Sequence, residues 1–337
     1  MRTSPKSGGF TSSLWVDTTV PTFDQPPPTE TDIAIVGAGI AGLTCAVELA
    51  RRGSRVIVLD DGPIGGGETG RTSAHLSSAV DDYYSTLENT FGTGGAKIIA
   101  ESHSTAIDYI EAMVRARNIQ CEFRRVDQYL IHAPGKRDEH RFLEKELAAA
   151  QRAGLTCEMV DAAPLPFATG PAIRFANQAE FHPLKYLVGL AEAAIEMGAH
   201  IHTGVHVEAI EPGTPVHLKL AGGNTLLARV VIDCTNGAMS SMMRMPLRQA
   251  AYRSYCVAFE IPHDTLPHVL VDDTGDPYHY IRIASNAAGE DVLIVGGEDH
   301  RVGQADAGPQ FDAIEQWTRE WLPIVGDVVA KWSGQII

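Results

Sequence analysis

The chain has 337 residues, more than one compact core usually holds, so two lobes are expected. Its formal net charge of −15 argues against a nucleic-acid ligand, which requires clustered cations on the protein. Hydrophobic residues make up 44%, enough for a core, and no apolar run is long enough to span a membrane.

Residues 1–30 begin MRTSPKSGGFTSS and carry the Pro26–Pro28 run. The basic start lacks the apolar stretch of a secretory signal, and the segment reads as a loose arm. Residues 32–60, DIAIVGAGIAGLTCAVELARRGSRVIVLD, hold the strongest signal. Ile33–Val36 is an apolar run of a length that suits a buried parallel strand. Gly37, Gly39 and Gly42 follow in GxGxxG spacing, and Ile40–Arg52 reads as a helix stopped by Gly53. Arg55–Leu59 is a second strand, closed by Asp60. Gly37 permits the tight turn, Gly39 lets backbone approach a pyrophosphate, and Gly42 lets helix and strand pack closely. The helix start at Ile40 and Ala41 offers free N–H donors and about half a positive charge, which suits a diphosphate. Asp60, with Asp61 beside it, is placed to accept hydrogen bonds from a ribose diol.

A nicotinamide domain usually proceeds from this point into another helix. Here a glycine- and hydroxyl-rich loop follows, Gly65–His75 (GGGETGRTSAH). Such a loop can run beside an extended cofactor, offering backbone N–H groups from Gly67 onward. Thr69, Thr72 and Ser73 are candidate donors, Arg71 a fixed charge, and His75 a candidate donor at the loop's end. A nicotinamide-dependent Rossmann reductase is the rival reading.

Further along, apolar residues at helical spacing predict a helix over Ala96–Ala116. Cys121–Phe123 and Tyr129–His132 are strand candidates, and Lys136–Arg152 and Leu184–Met197 are helices. Short strands with turns follow at His200–Thr203, His206–Ile210, Val216–Leu220 and Leu226–Ile232. His200, His202 and His206 have no carboxylate at suitable spacing, so a solvated strand is expected rather than a metal site. From Arg248, strands at Tyr255–Ile261, His268–Val271, Tyr280–Ala284 and Val292–Val295 precede a helix at Gln310–Trp321. Tyr252, Tyr255, Tyr278, Tyr280 and Arg282 are candidates to line a pocket for an anionic substrate, with ordinary sheet-surface pairing the alternative for the tyrosines. Five scattered cysteines, Cys45, Cys121, Cys157, Cys234 and Cys256, form no Cys-x-x-Cys and no Cys/His pairing. Zinc and iron–sulfur ligation are therefore not expected, and a reducing, cytoplasmic setting fits.

GAGIAG at Gly37–Gly42 and GETGRT at Gly67–Thr72 resemble the D-amino-acid-oxidase-like flavoproteins of the glycine and sarcosine oxidase type. SLW at Ser13–Trp15, FHPLKYLVGLAEA at Phe181–Ala193 and YRSY at Tyr252–Tyr255 extend the resemblance. So do DPYHYIRI at Asp276–Ile283 and LIVGGEDHRVGQ at Leu293–Gln304, and the likeness is to the branch fused to a C-terminal Rieske [2Fe–2S] domain. It runs from about residue 13 to the end. It implies an α/β fold with FAD as cofactor. A Rossmann-like FAD-binding domain, 31–119 and 176–247, would interleave with an antiparallel β-sheet substrate domain, 120–175 and 248–337, after the arm at 1–30. The reaction implied is hydride transfer from a C–N or C–O bond of a small molecule to flavin N5. Electrons would pass to dioxygen or to a Rieske cluster outside this chain.

The same resemblance brings the backbone of Val207 to the adenine and Thr235 near the pyrophosphate. Histidines that tether flavin covalently in some relatives match Arg71, not His75, so a tether is not expected. Catalytic residues stay open, with His75, Tyr280 and Arg282 the candidates. Lys331–Ile337 reads as a strand without a following turn, so a C-terminally truncated domain is expected, and a catalytically incomplete flavin fragment is the second alternative. The position matching the arginine that binds substrate carboxylate in glycine-oxidase-like members is Ile336, which puts an α-amino acid substrate in question.

Overall fold

The computed structural model describes residues 12–135, 140–237, 252–301 and 308–336. In chain order, β1 (Glu30–Val36), α1 (Ile40–Ala50) and β2 (Val56–Leu59) form the parallel βαβ start. Then come β3 (His75–Leu76), α2 (Tyr84–Arg117), β4 (Arg124–Ile131), α3 (His140–Ala153), β5 (Cys157–Val160) and β6 (Ala172–Glu180). They are followed by α4 (Pro183–Glu196), β7 (His200–His202), β8 (Val207–Glu211), β9 (Val216–Leu220) and β10 (Thr225–Asp233). The last elements are β11 (Tyr252–Glu260), β12 (Leu270–Asp273), β13 (His279–Ser285), β14 (Asp291–Arg301), α5 (Gly308–Trp321) and β15 (Val328–Ile336).

Two sheets organise these elements. The first is six-stranded in the order β7-β2-β1-β10-β9-β8, with β7, β2, β1 and β10 parallel. Val56–Leu59 is buried throughout because parallel strands of this kind are covered on both faces. Leu43 and Val47 of α1 share a core with Leu187 and Leu190 of α4, all fully buried. Each such side chain contributes about 1.5–3 kcal/mol by leaving water.

The second sheet is nine-stranded and runs β15-β11-β14-β13-β12-β4-β6-β3, with β5 also on β6. Its ladders are antiparallel except for β12 beside β4, so the expected antiparallel sheet contains one parallel pair. Two features join the sheets' territories. His75–Leu76, directly after the glycine-rich loop, pairs with β6 and so belongs to the second sheet. Strand β6 itself crosses the expected division at 175/176 unbroken.

Three local expectations change. The helix expected from Ala96 begins at Tyr84, with a kink at Gly92 where φ is +72°; the FGTGG stretch hides its periodicity. Cys121–Phe123 is not a strand, because Glu122 takes a left-handed φ of +56° that breaks an extended run. The arm is not loose from residue 12 onward. Trp15 is 1% exposed, and Phe23 exchanges hydrogen bonds with Thr203, its N–H donating to the hydroxyl at 2.8 Å. The expected arm residues 1–11, the start of the helix from Lys136, the 247/248 division, Gln304 and Ile337 lie outside the described residues. Among the described residues, no helix is long and apolar enough to cross a membrane.

Candidate functional site

The site begins where β1 turns into α1. Gly37 has a φ of +107°, and a Cβ there would lie 2.5 Å from the carbonyl oxygen of Cys234. A Cβ on Gly42 would lie 1.9 Å from Gly37 O, so the turn and the helix meet backbone to backbone. Ile40 and Ala41 open the helix, and the short turn Glu68–Arg71 folds back over it. Thr69 Oγ1 accepts the Ile40 N–H at 3.2 Å, which places a hydroxyl at the positive end of the helix. A Cβ on Gly39 would stand 3.0 Å from that same oxygen. Gly67 precedes the turn with open space where a side chain would be.

Asp60 holds this cradle from below. Its Oδ2 accepts the Ala38 N–H at 2.6 Å and its Oδ1 accepts the Gly62 N–H at 2.8 Å. Burial raises its pKa, and the two N–H groups oppose the rise. Each carboxylate oxygen keeps a second lone pair for a ligand. The Asp60 main chain receives the Val205 N–H and donates to His202 O, which brings the segment before Val207 alongside. Asp61 lies 3.3 Å from His206 Nδ1. Thr235, after β10, turns its hydroxyl back to Asp233 Oδ1 and Gly237 O at 2.5 and 2.6 Å.

The loop that follows is fixed from several sides. Arg71 is 4% exposed and donates to Ser333 O at 3.0 Å, while its carbonyl accepts Trp332 Nε1–H at 2.9 Å. Burial lowers its pKa. Thr72 O accepts Trp15 Nε1–H at 2.8 Å, and Thr72 Oγ1 accepts the Ala74 N–H. Ser73 Oγ lies 3.0 Å from His75 Nδ1. The other His75 nitrogen, Nε2, is buried and has no hydrogen-bond partner among the described residues. Burial, with the nearby Arg282 charge second, holds His75 down to about 3, so the ring is neutral.

Tyr280 meets the His75 ring edge-on, centroids 5.3 Å apart, and its hydroxyl lies 3.0 Å from Ser254 Oγ and 3.2 Å from Cys256 Sγ. A Cβ on Gly296 would fall 2.1 Å from the Tyr280 ring, so the glycine makes the room. Tyr278 stands beside it at 6.0 Å and donates to Asp299 Oδ2 at 3.1 Å. Arg282 turns toward the loop's backbone. It donates to Ala74 O at 2.6 Å and Ile283 O at 3.0 Å, and its Nε lies 3.8 Å from Glu180 Oε2.

His75, Tyr278 and Tyr280 therefore come together. Tyr252 and Tyr255 do not join them: Tyr252 is exposed, and Tyr255 is buried against Phe311. His202 is no solvated-strand residue, because it is buried with Nδ1 2.7 Å from Gln25 O. Glu180, which carries no signal in the sequence, also builds the site, and Trp15 and Trp332, read only as members of longer motifs, act through contacts of long sequence separation for which no local pattern exists.

Glycines that admit backbone to an anion, an acid closing β2, and a hydroxyl-rich loop returning to the helix start define a dinucleotide-binding α/β protein with a second, mixed sheet. The chain belongs to the FAD dependent oxidoreductase (DAO) family, whose profile matches residues 32–336. FAD is accordingly the cofactor of its class, in place of the nicotinamide alternative. It is 28% identical over 309 residues to the Bacillus subtilis Rieske 2Fe-2S iron-sulfur protein YhfW, across 91% of this chain and 60% of that one. The chain thus spans about three fifths of that relative. It is 26% identical over 354 residues to the oxidoreductase OrdL of Rhizobium meliloti, across 99% of this chain and 79% of that one. The fold matches glycine oxidase from Geobacillus kaustophilus at a TM-score of 0.69 and 19% identity, covering 91% of this chain and 83% of that one. It also matches L-amino acid deaminase from Proteus vulgaris at 0.72 and 15%, covering 95% and 86%.

Proposed function

We propose that this chain is the flavin-bearing part of an oxidoreductase that removes a hydride from a C–N or C–O bond of a small molecule. FAD, when bound, supplies the hydride acceptor. Gly39 and Ala41 offer backbone N–H groups to the diphosphate, Gly37 and Gly42 make the close turn beneath it, and Ile40 ties the helix start to the Thr69 hydroxyl that borders it. Asp60 and Asp61 receive the ribose, the Val207 backbone borders the adenine, and Thr235 borders the diphosphate. Gly67, Thr69, Thr72 and Ser73 run beside the flavin. Arg71 ties that loop to β15, and Arg282 holds it from β13. The neutral His75 offers its unpartnered Nε2, and Tyr280 packs against the ring to fix its orientation.

The observation that carries the reading is the approach of Gly42 to Gly37 O, where a Cβ would sit at 1.9 Å under a helix start that carries the Thr69 hydroxyl. A C–N bond is favoured over C–O by two relatives' names: glycine oxidase and, at 24% identity over 213 residues, the Escherichia coli gamma-glutamylputrescine oxidoreductase. Ile336, at the end of β15 opposite Tyr252, supplies no cation for a substrate carboxylate. Electrons pass to dioxygen or to a Rieske cluster outside this chain, the latter suggested by the name of the Bacillus subtilis relative. Five free cysteines fit a reducing, cytoplasmic setting.

The visible spectrum of the purified chain, with the released cofactor identified by chromatography, tests this. Bands near roughly 375 and 450 nm with about one FAD per chain are expected. A protein that is colourless and stays so with added FAD refutes the assignment.

A further inference from the structure

Strands β11 and β14 pair Arg253 with His300 and Tyr255 with Gly297, so one residue of β11, Ser254, opposes two of β14, Glu298 and Asp299. This is a β-bulge, and it carries positive φ values of +140° at Gly297 and +54° at Glu298. Resting on the flavin reading above, we propose that the bulge makes Asp299 and Ser254 positioning residues of the flavin site: they hold Tyr280 by its hydroxyl and so set the orientation of His75.

The bulge is a built feature. Glu298 takes a left-handed φ that residues with a Cβ rarely adopt. A Cβ on Gly297 would fall 2.1 Å from Tyr278 O, so glycine is what lets β13 and β14 meet there. Side chains on a regular strand alternate between its faces, and an extra residue breaks that alternation and re-aims the side chain after it. Asp299 arrives between two strands. Tyr278, from β13, donates to its Oδ2 at 3.1 Å, and the Ser254 hydroxyl, from β11, also bonds its carboxylate. Burial raises the pKa of Asp299, and these two hydroxyls oppose the rise.

The direction of each bond follows from the groups that make it. A carboxylate accepts only, so Ser254 donates to Asp299 and keeps its Oγ lone pairs for a further donor. The Tyr280 hydroxyl, 3.0 Å away, supplies that donor, and its own oxygen accepts the Cys256 thiol at 3.2 Å. One carboxylate thus takes the Tyr278 hydroxyl directly and the Tyr280 hydroxyl through Ser254. Gly296 confines the Tyr280 ring from the other side, since a Cβ there would fall 2.1 Å from it. What Tyr280 offers His75 is therefore a fixed ring, met edge-on with centroids 5.3 Å apart. Ser73 Oγ lies 3.0 Å from Nδ1 of the same imidazole. Ser73 anchors one ring nitrogen and Tyr280 sets the ring plane, which gives Nε2 a single bearing.

Histidine labelled with ¹³C at Cε1 tests this by NMR in the cofactor-loaded chain, the His75 signal being the one that disappears in His75→Asn. Ser254→Ala, Tyr280→Phe and Asp299→Leu should each shift that signal in the same direction. Asp299→Leu added to Ser254→Ala should move it no further, because Asp299 acts through Ser254. Ser254→Thr keeps the hydroxyl and should leave the signal in its wild-type position. A purely structural role would lower the melting temperature and leave the His75 signal in place, which overturns the proposal. So does a shift caused by Asp299→Leu when Ser254 is already Ala. Where Asp299→Leu does not fold, Ser254→Ala and its Ser254→Thr rescue decide. The same samples report flavin absorbance: a colourless chain with this pattern refutes the flavin reading and keeps the positioning, and a yellow chain without it does the reverse.

Discussion

Replacing Arg282 by methionine removes the fork between the cofactor loop and β13. The side chains of Arg282 and Glu180 are each 4% exposed and 3.8 Å apart, so solvent screens neither. Breaking one side of a buried ion pair costs about 3–5 kcal/mol, because the remaining charge has no counterpart. Glu180 retains His268 Nδ1 at 2.5 Å and Arg124 Nη1 at 3.8 Å on its other oxygen, which puts the expected loss near the lower end, about 3 kcal/mol. The Ala74 carbonyl also loses its 2.6 Å donor, and the loop should open with it. Adding Glu180→Gln removes the stranded charge, so the double variant should be about 1–2 kcal/mol more stable than the sum of the singles predicts. Urea unfolding followed by tryptophan fluorescence reads this directly, since Arg282 lies 5.7 Å from the Trp15 ring. An Arg282→Met protein within about 0.5 kcal/mol of wild type, or strictly additive singles, would refute the positioning role.

Two further outcomes are expected. Gly42→Ala sets a methyl group 1.9 Å from Gly37 O, so the purified variant should lose its flavin absorbance while its far-ultraviolet circular dichroism persists. Stability against pH should show two limbs of opposite sense. His75 titrates at about 3 in the folded chain against 6.5 unfolded, so its contribution is present above 6.5 and is lost as pH falls toward 3. Asp272 titrates at about 8 against 3.8, so its contribution is present below 3.8 and is lost as pH rises toward 8. Melting temperatures of His75→Asn and Asp272→Asn across this range should flatten the acid and the alkaline limb respectively. A variant whose profile parallels wild type would break the corresponding assignment.

The βαβ start was legible because its signals are local: apolar run, glycine spacing and terminal acid all fall within residues 32–60, and the helix begins at Ile40 as expected. Strands β11, β12 and β13 were legible to within a few residues for the same reason, whereas β5 and β6 were not read at all and β14 runs on well past Val295. The pairing of His75–Leu76 with β6 was not, since two residues carry no period. Arg282 reads in sequence as a pocket cation, and only the fold reveals that backbone carbonyls surround its guanidinium. Trp15 was legible only as part of the SLW motif, and its bond to Thr72 O spans 57 residues that no local pattern connects.

The segment Glu68–Thr72 is secured by residues far apart in sequence, before β1 and on β15. Ser13 and Trp15 donate to Gly70 O and Thr72 O, Trp332 donates to Arg71 O, and Glu68 accepts the Gln335 N–H. Proteins are made from the N-terminus, and their early domains fold as they emerge. The glycine cradle can form on the ribosome once β2 has left the tunnel. The loop beside it cannot reach its final shape until β15 has also been synthesised and has paired with β11. A nascent chain arrested before residue 328 therefore carries a diphosphate cradle and an unfinished flavin wall, and the full cofactor site waits for β15 to pair with β11.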